Sequence, residues 1–296
     1  IGAYYYQIIY GCIDIIAINY NPNANISDDS CEYYDGPVWH VNTQGLDILG
    51  AGSENYPFGS IQHAIDSSAD GDTVLVAAGT YYENINFNGK NISVIGEDQE
   101  TTIIDGGGDG TVVKFENAEN YSAILDGFTI TNGNSNLAGG IYINAKWDGS
   151  WIATTPTLKN LRIENNFGNQ SGAITADRSS FYIENSIIDN NTSSSNNAGG
   201  VLLNTDVSAE FVNVSITNNT SSHPNSNSGG IANFGTSLIL KNSIIWNNSP
   251  ENIYNYSSTP AITYSNIEGG WEGEGNIDAN PQFTDPDNGD YTLQFT

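Results

Sequence analysis

Past residue 72 the chain sets apolar against polar positions in short alternating bursts. Thr73–Ala77, Thr80–Tyr82, Ile85–Phe87, Ile92–Ile95 and Thr101–Ile104 each run a few residues and stop at Gly, Asn or Asp. A period of two broken by turn formers predicts short strands. Just ahead of them, SIQHAIDSSA (60–69) changes to helical spacing. Ile61, Ala64 and Ile65 share one face, Ser60 stands at a capping position and Gly71 at a terminating one. From residue 124 the bursts repeat. ILDGFTITNG (124–133), LKNLRIENN (158–166), IENSIIDNN (183–191), VNVSITNN (212–219) and LKNSIIWNN (240–248) all end in Asn-Gly or Asn-Asn. The first Asn of each pair falls at 132, 165, 190, 218 and 247, in steps of 33, 25, 28 and 29 residues. Between them lie GGIYIN (139–144), SGAITA (171–176), GGVLLN (199–204) and GGIANF (229–234).

Periods of this length mark a solenoid or an array. Each repeat supplies two or three short strands and no helix, which excludes leucine-rich, ankyrin and tetratricopeptide solenoids. Propeller blades need longer repeats. A parallel β-helix remains, an all-β fold in which each coil turns the same apolar slot inward. The side chains expected inside are Val74, Val76, Ile92, Ile104, Val113, Ile141, Ile143, Ile174, Val201, Leu203 and Ile231. They would stack along the axis about 4.8 Å apart. Asn166, Asn191, Asn219 and Asn248 recur at the strand ends, where stacked amides can form an Asn ladder. The uneven steps belong to loops such as 193–198 and 221–228, which vary without disturbing the stack. Three segments follow: an uncharged β-prone arm (1–10), a small module holding both cysteines (11–36), and the β-helix (37–296).

Composition narrows the function. There are 41 Asn and 32 Gly, residues that tolerate positive φ and suit many turns. Seven Lys and Arg stand against 34 Asp and Glu, a net charge of −27. Nucleic-acid binding is excluded, because phosphate neutralisation needs clustered basic residues. Membrane insertion is not expected either. Ile1–Tyr20 is rich in Ile and Tyr but is interrupted by Gln7, Gly11, Asp14 and Asn19, whereas a span needs about 20 nearly unbroken apolar residues.

The segment 57–96 resembles the opening of secreted right-handed parallel β-helix proteins of the pectate-lyase-like superfamily. The matching pieces are Pro57-Phe58, Ile61-Gln62, Ala64-Ile65, Gly71-Asp72, Gly79-Thr80-Tyr81 and Glu83. The resemblance implies a short helix capping the first coil and a Gly-Thr-Tyr turn leading into the solenoid. DANPQFTDPDNGDYTLQ (278–294) resembles the closing segment of large bacterial surface β-helix proteins. Residues 11–33 resemble a Cys-paired module of secreted proteins from marine Bacteroidota-type bacteria, with Ile13, Ile15 and Ile16 where that module often has small polar residues. Cys12 and Cys31 are expected to be disulfide-bonded, since so small a region has little other means of holding its shape. An extracellular or cell-surface location follows.

The superfamily holds lyases, hydrolases and esterases of acidic polysaccharides beside adhesins and structural surface proteins, so the site decides. Lys90, Lys114, Lys146, Lys159, Arg162, Arg178 and Lys241 are scattered along the sequence. Arg162 falls in a strand slot where Ser186, Ser215 and Ser243 stand in other repeats, which predicts a solvated side chain. The only Asp-Asp is Asp28-Asp29, ahead of the solenoid, and His40, His63 and His223 neighbour no nucleophile motif. Asp14, Asn19, Asp28 and Asp29 share one loop region and offer hard oxygens that could hold Ca²⁺; no other cofactor is expected. The leading expectation is a non-catalytic structural or adhesive solenoid. Its alternatives are a polysaccharide-active enzyme and a carbohydrate-binding surface. Expected partners are extracellular glycans or further copies of the chain, joined head to tail. The arm (Ile1, Tyr4, Tyr5, Tyr6, Ile8, Ile9, Tyr10) would either add to a neighbour's C-terminal strand edge at Tyr291, Leu293 and Phe295 or fold back on its own solenoid.

Overall fold

The structure, a computed structural model, describes residues 7–195, 197–226 and 228–294. Short strands stack coil upon coil into three long parallel sheets, A to C, and a fourth of two-residue strands, Asn134–Ser135, Phe167–Gly168, Thr192–Ser193 and Thr220–Ser221. Sheet A runs from Val38–Val41 through Thr73–Val76, Ser93–Gly96, Ile124–Asp126 and Thr157–Lys159 to Ala261–Thr263. Sheet B starts at Gly79–Tyr82 and includes Thr102–Asp105, Thr129–Thr131, Arg162–Glu164, Ile244–Trp246 and Asn266–Ile267. Two long strands, Ser180–Asp189 and Ser208–Thr217, turn the corner and join sheets A and B. Sheet C stacks seven strands from Ile85–Asn86 to Ile253–Tyr256. The fold is therefore a parallel β-helix, and every expected inward side chain is buried.

The register shows why. In sheet A one slot reads Trp39, Val74, Val94, Leu125, Leu158, Ile183, Phe211, Leu240 and Ile262. In sheet B it reads Tyr81, Ile104, Ile130, Ile163, Ile188, Ile216, Ile245 and Ile267. Sheet C stacks Ile85, Val113, Ile141, Ile174, Val201, Ile231 and Ile253. Each such side chain removed from water contributes about 1.5–3 kcal/mol, and β-branched residues suit the pleat. A one-residue slip would turn a whole slot to solvent, so register is fixed by burial.

Asparagine builds the corners twice per coil. Asn132, Asn165, Asn190, Asn218 and Asn247, the first Asn of each repeated pair, all have φ near +55°. Asn160, Asn185, Asn213 and Asn242 do the same where sheet A meets sheet B. Asn tolerates this left-handed region better than any other residue with a side chain.

The ends of the solenoid are covered. Helix α1 (Ile61–Ser67) buries Ile61, Ala64 and Ile65 against the first coil, and Ser60 Oγ accepts from His63 N. Glu83 accepts from Ile61 N and Gln62 N at 2.8 and 2.9 Å. Lys90 Nζ donates to the carbonyls of Ile65, Asp66 and Ser68. An anion at the helix N-terminus and a cation at its C-terminus complement the peptide dipoles. The helix ends at Ser68 in extended backbone, before reaching Gly71. At the other end Trp271 packs on the core.

The parallel ladders stop at Ile267, with one further bridge from Asn266 to Ile277, short of the expected boundary at 296. Beyond them Phe283–Asp285 and Asp290–Leu293 form an antiparallel hairpin. The expected strand edge at Tyr291 and Leu293 is thus no continuation of the solenoid; Phe295 lies outside the described residues.

Candidate functional site

The chemistry-bearing cluster of sheet B lies on its outer face, under the C-terminal hairpin. Arg162 pairs in register with Thr129, Ile187, Ser215 and Ile244. Ser186 and Ser243 are one position off and buried; Arg162 does face outward, but the C-terminal hairpin covers it, so the expectation that it is solvated is corrected. Its side chain is only 12% exposed. Nε meets Glu164 Oε2 at 2.5 Å, Nη2 meets Asp189 Oδ2 at 3.5 Å, and Nη1 donates to the carbonyl of Gly289 at 3.1 Å. Gly289 has φ +80°, which favours glycine, and a Cβ there would lie 2.3 Å from Arg162 Nη2 and push the guanidinium aside.

Asp189 sits beside Glu164 in the ladder and is wholly buried. Its Oδ2 accepts from Tyr291 Oη at 3.0 Å and Asn190 Nδ2 at 2.8 Å, while Oδ1 has no partner. Burial pushes its pKa up to about 6; Arg162 opposes the rise and Glu164 adds to it. Burial lowers the Arg162 pKa, but Asp189 and Glu164 outweigh this and hold it above its usual value. Tyr291 is pushed up to about 12, by burial and then by Asp189. Asn218 Nδ2 donates to its hydroxyl at 3.0 Å.

An acid titrating near 6 beside a second carboxylate has the chemistry of a general acid–base pair. Here the acid is out of reach. Tyr291 covers Asp189 and Gly289 holds Arg162, which lines the cavity alongside, about 420 Å³, together with Gln99, Glu100, Ile187 and the hairpin, while the Glu164 side chain stays 22% exposed.

The ladder asparagines meet one another. Asn191 Oδ1 accepts from Asn166 N, Asn219 Oδ1 from Asn191 N and Asn248 Oδ1 from Asn219 N, at 3.0–3.1 Å. Gly133 N begins the chain and Asn252 ends it. Cys12 and Cys31 are disulfide-bonded. The four residues weighed for Ca²⁺ do not converge. Asp14 accepts from Ile16 N and Tyr33 Oη, Asn19 bonds Ser30 O and Glu32 N, and Asp28 accepts from Ser30. Asp29 is a turn residue with φ +60°. Among the described residues no three acidic, His or Cys side chains gather as a metal site.

The arm lies within its own module over its described part. Ile9 O accepts from Asn25 N and Ile26 N, Ile9 N donates to Asn25 Oδ1, and Tyr10 bridges to Ile26, leaving Ile8 and Tyr10 exposed. Ile1, Tyr4, Tyr5 and Tyr6 lie outside the described residues. Of the remaining cations, Lys159 pairs with Glu184 and Lys241 with Glu210.

No protein-family model matches the chain, and no curated protein matches it in sequence. Among solved structures it is similar to pectin methylesterase PemA from Erwinia chrysanthemi, with 12% identity, 80% of each chain covered and a TM-score of 0.49. It is also similar to a rhamnogalacturonan lyase, with 13% identity, 78% of this chain and 73% of that one covered and a TM-score of 0.45. At such identities nothing of their chemistry transfers to this chain.

Proposed function

We propose that the chain is a non-catalytic extracellular β-solenoid with a structural or adhesive role. The observation that carries this reading is that the protein's own hairpin covers Asp189, which is inaccessible with Tyr291 bonded to it, and occupies Arg162 through the Gly289 carbonyl. A substrate carboxylate would have to displace that hairpin and approach a chain of charge −27. Two of the three histidines are occupied within the fold. His63 packs edge-on against Phe58, and His223 Nδ1 accepts from Asn225 N in a loop. The disulfide fits secretion.

The test is incubation of the full chain with polygalacturonate, methylated pectin and alginate, following reducing ends, unsaturated uronate absorbance and proton release. No turnover is expected. Sustained turnover that disappears in Arg162→Ala or Asp189→Asn would overturn the proposal. Self-association through the N-terminal module is the second part of the reading, because Ile8, Tyr10, Ile13, Ile15, Ile18 and Ile26 are all exposed there. Sedimentation velocity across a concentration series reads it directly, and an unchanging monomer would remove it.

A further inference from the structure

One coil departs from the others between sheets C and A. Elsewhere the turn takes two residues after Asp177 and Phe234, four after Leu203 and Tyr256, and eight after Phe115. After Asn144 the next sheet A strand begins only at Thr157. The intervening residues form a small antiparallel hairpin in which Lys146–Trp147 pairs with Trp151–Ile152 and Trp147 stands opposite Trp151. Variable loops on the edge of a constant stack are where solenoids carry binding residues.

Both indoles stay in water. Trp147 is 61% and Trp151 50% exposed, and neither joins the core. Their ring centroids are 4.9 Å apart with planes at 63°, which makes an angled aromatic wedge. The wedge is held in place. The Arg178 guanidinium lies 4.8 Å over the Trp151 ring, and its Nη1 bonds Asp177 Oδ2 at 2.7 Å. Beside it runs a polar row. Asn144 and Asp177 are register neighbours, and each keeps one buried side-chain oxygen without a donor. Tyr142 lies in the same sheet, its phenol raised by burial and then by the charges of Asp177 and Glu116.

We propose that this wedge binds a neutral pyranose unit of a glycan. A pyranose has an apolar C–H face, which an exposed indole can cover, and a rim of hydroxyls. Those hydroxyls can bond the partly exposed Arg178 and Asp177 side chains beside Trp151, 33% and 21% exposed. Charge selects the class: Arg178 is neutralised by Asp177, and the −27 chain repels polyanions. With two rings at an angle rather than a flat row, the site grips one sugar at a time. It lies apart from the clasp on sheet B, so its truth does not depend on whether the chain is catalytically inert.

The experiment is calorimetric titration of the full chain with cellohexaose, laminarihexaose and mannohexaose, with oligogalacturonate as the anionic comparison. Each mixture is also assayed for cleavage, so that turnover is scored separately from binding. Binding of at least one neutral hexasaccharide is expected. Trp147→Ala and Trp151→Ala should each weaken it at least about tenfold, as central aromatic contacts do. Tyr82→Ala, at an exposed position on sheet B, should leave it unchanged. Unaltered far-UV circular dichroism checks that the variants remain folded. No neutral binding at millimolar sugar, equal binding by the Trp variants, or binding of the oligogalacturonate alone would each overturn the proposal. So would a dimer that Trp147→Ala dissolves, because the wedge would then be a contact between copies.

Discussion

Replacing Asp189 by Asn should flatten part of the protein's pH dependence. The group is buried, and its pKa rises from 3.8 to about 6 in the folded chain. A carboxyl whose folded pKa lies above its unfolded one is held more tightly as the neutral acid. Its stabilising contribution is complete below the unfolded pKa and is lost as pH rises through about 6. A difference of about two units, at about 1.4 kcal/mol each, is worth about 3 kcal/mol between pH 4 and pH 8. That net shift already contains the attraction of Arg162 and the repulsion of Glu164. Asparagine imitates the neutral acid: its oxygen can accept from Tyr291 and its amide fills the place of the unpartnered Oδ1. Urea unfolding of wild type and Asp189→Asn, followed by circular dichroism from pH 4 to pH 8, isolates the group as a difference. The two should be similar at pH 4, and the variant should be the more stable by about 3 kcal/mol at pH 8. Profiles that stay parallel over the whole range would refute the assigned burial and proton affinity.

Two further outcomes follow from the scaffold. Asn219→Ala leaves the buried Asn191 N–H without its acceptor and should cost about 2–4 kcal/mol; a urea midpoint within error of wild type would contradict the ladder's role. Cys12→Ser with Cys31→Ser frees a loop whose closure is worth roughly 3 kcal/mol in chain entropy. Limited proteolysis should then cut within residues 11–36 while the solenoid's far-UV spectrum is unchanged, and equal protease resistance would argue against that account.

The solenoid was legible because its information is periodic. An isoleucine that returns every coil at 163, 188, 216 and 245 announces a stack before any coordinate is known. The Asn pairs mark one corner of each coil in the same way. The second corner was equally present in the sequence, at Asn160, Asn185, Asn213 and Asn242, and it fixes the register more sharply. Counting two residues on from each gives 162, 187, 215 and 244, the true neighbours of Arg162. Aligning that arginine with Ser186 and Ser243 instead slipped it by one residue, and a one-residue slip in a strand exchanges inside for outside.

The clasp was illegible for a different reason. Arg162 meets Gly289 across 127 residues, and Asp189 meets Tyr291 across 102. No repeat predicts a contact made once. A signal was nevertheless available in the composition: a chain with seven basic residues cannot spend them idly on an acidic surface. Lys90 closes the helix, Arg162 holds the hairpin and Arg178 steadies Trp151. Each sits where a single non-periodic element meets the periodic stack. In a solenoid whose coils differ little, such junctions are where one coil becomes distinguishable from the next. Arg162 and Arg178 mark the two on its outer faces, one closed by the hairpin and one left open with two indoles in water.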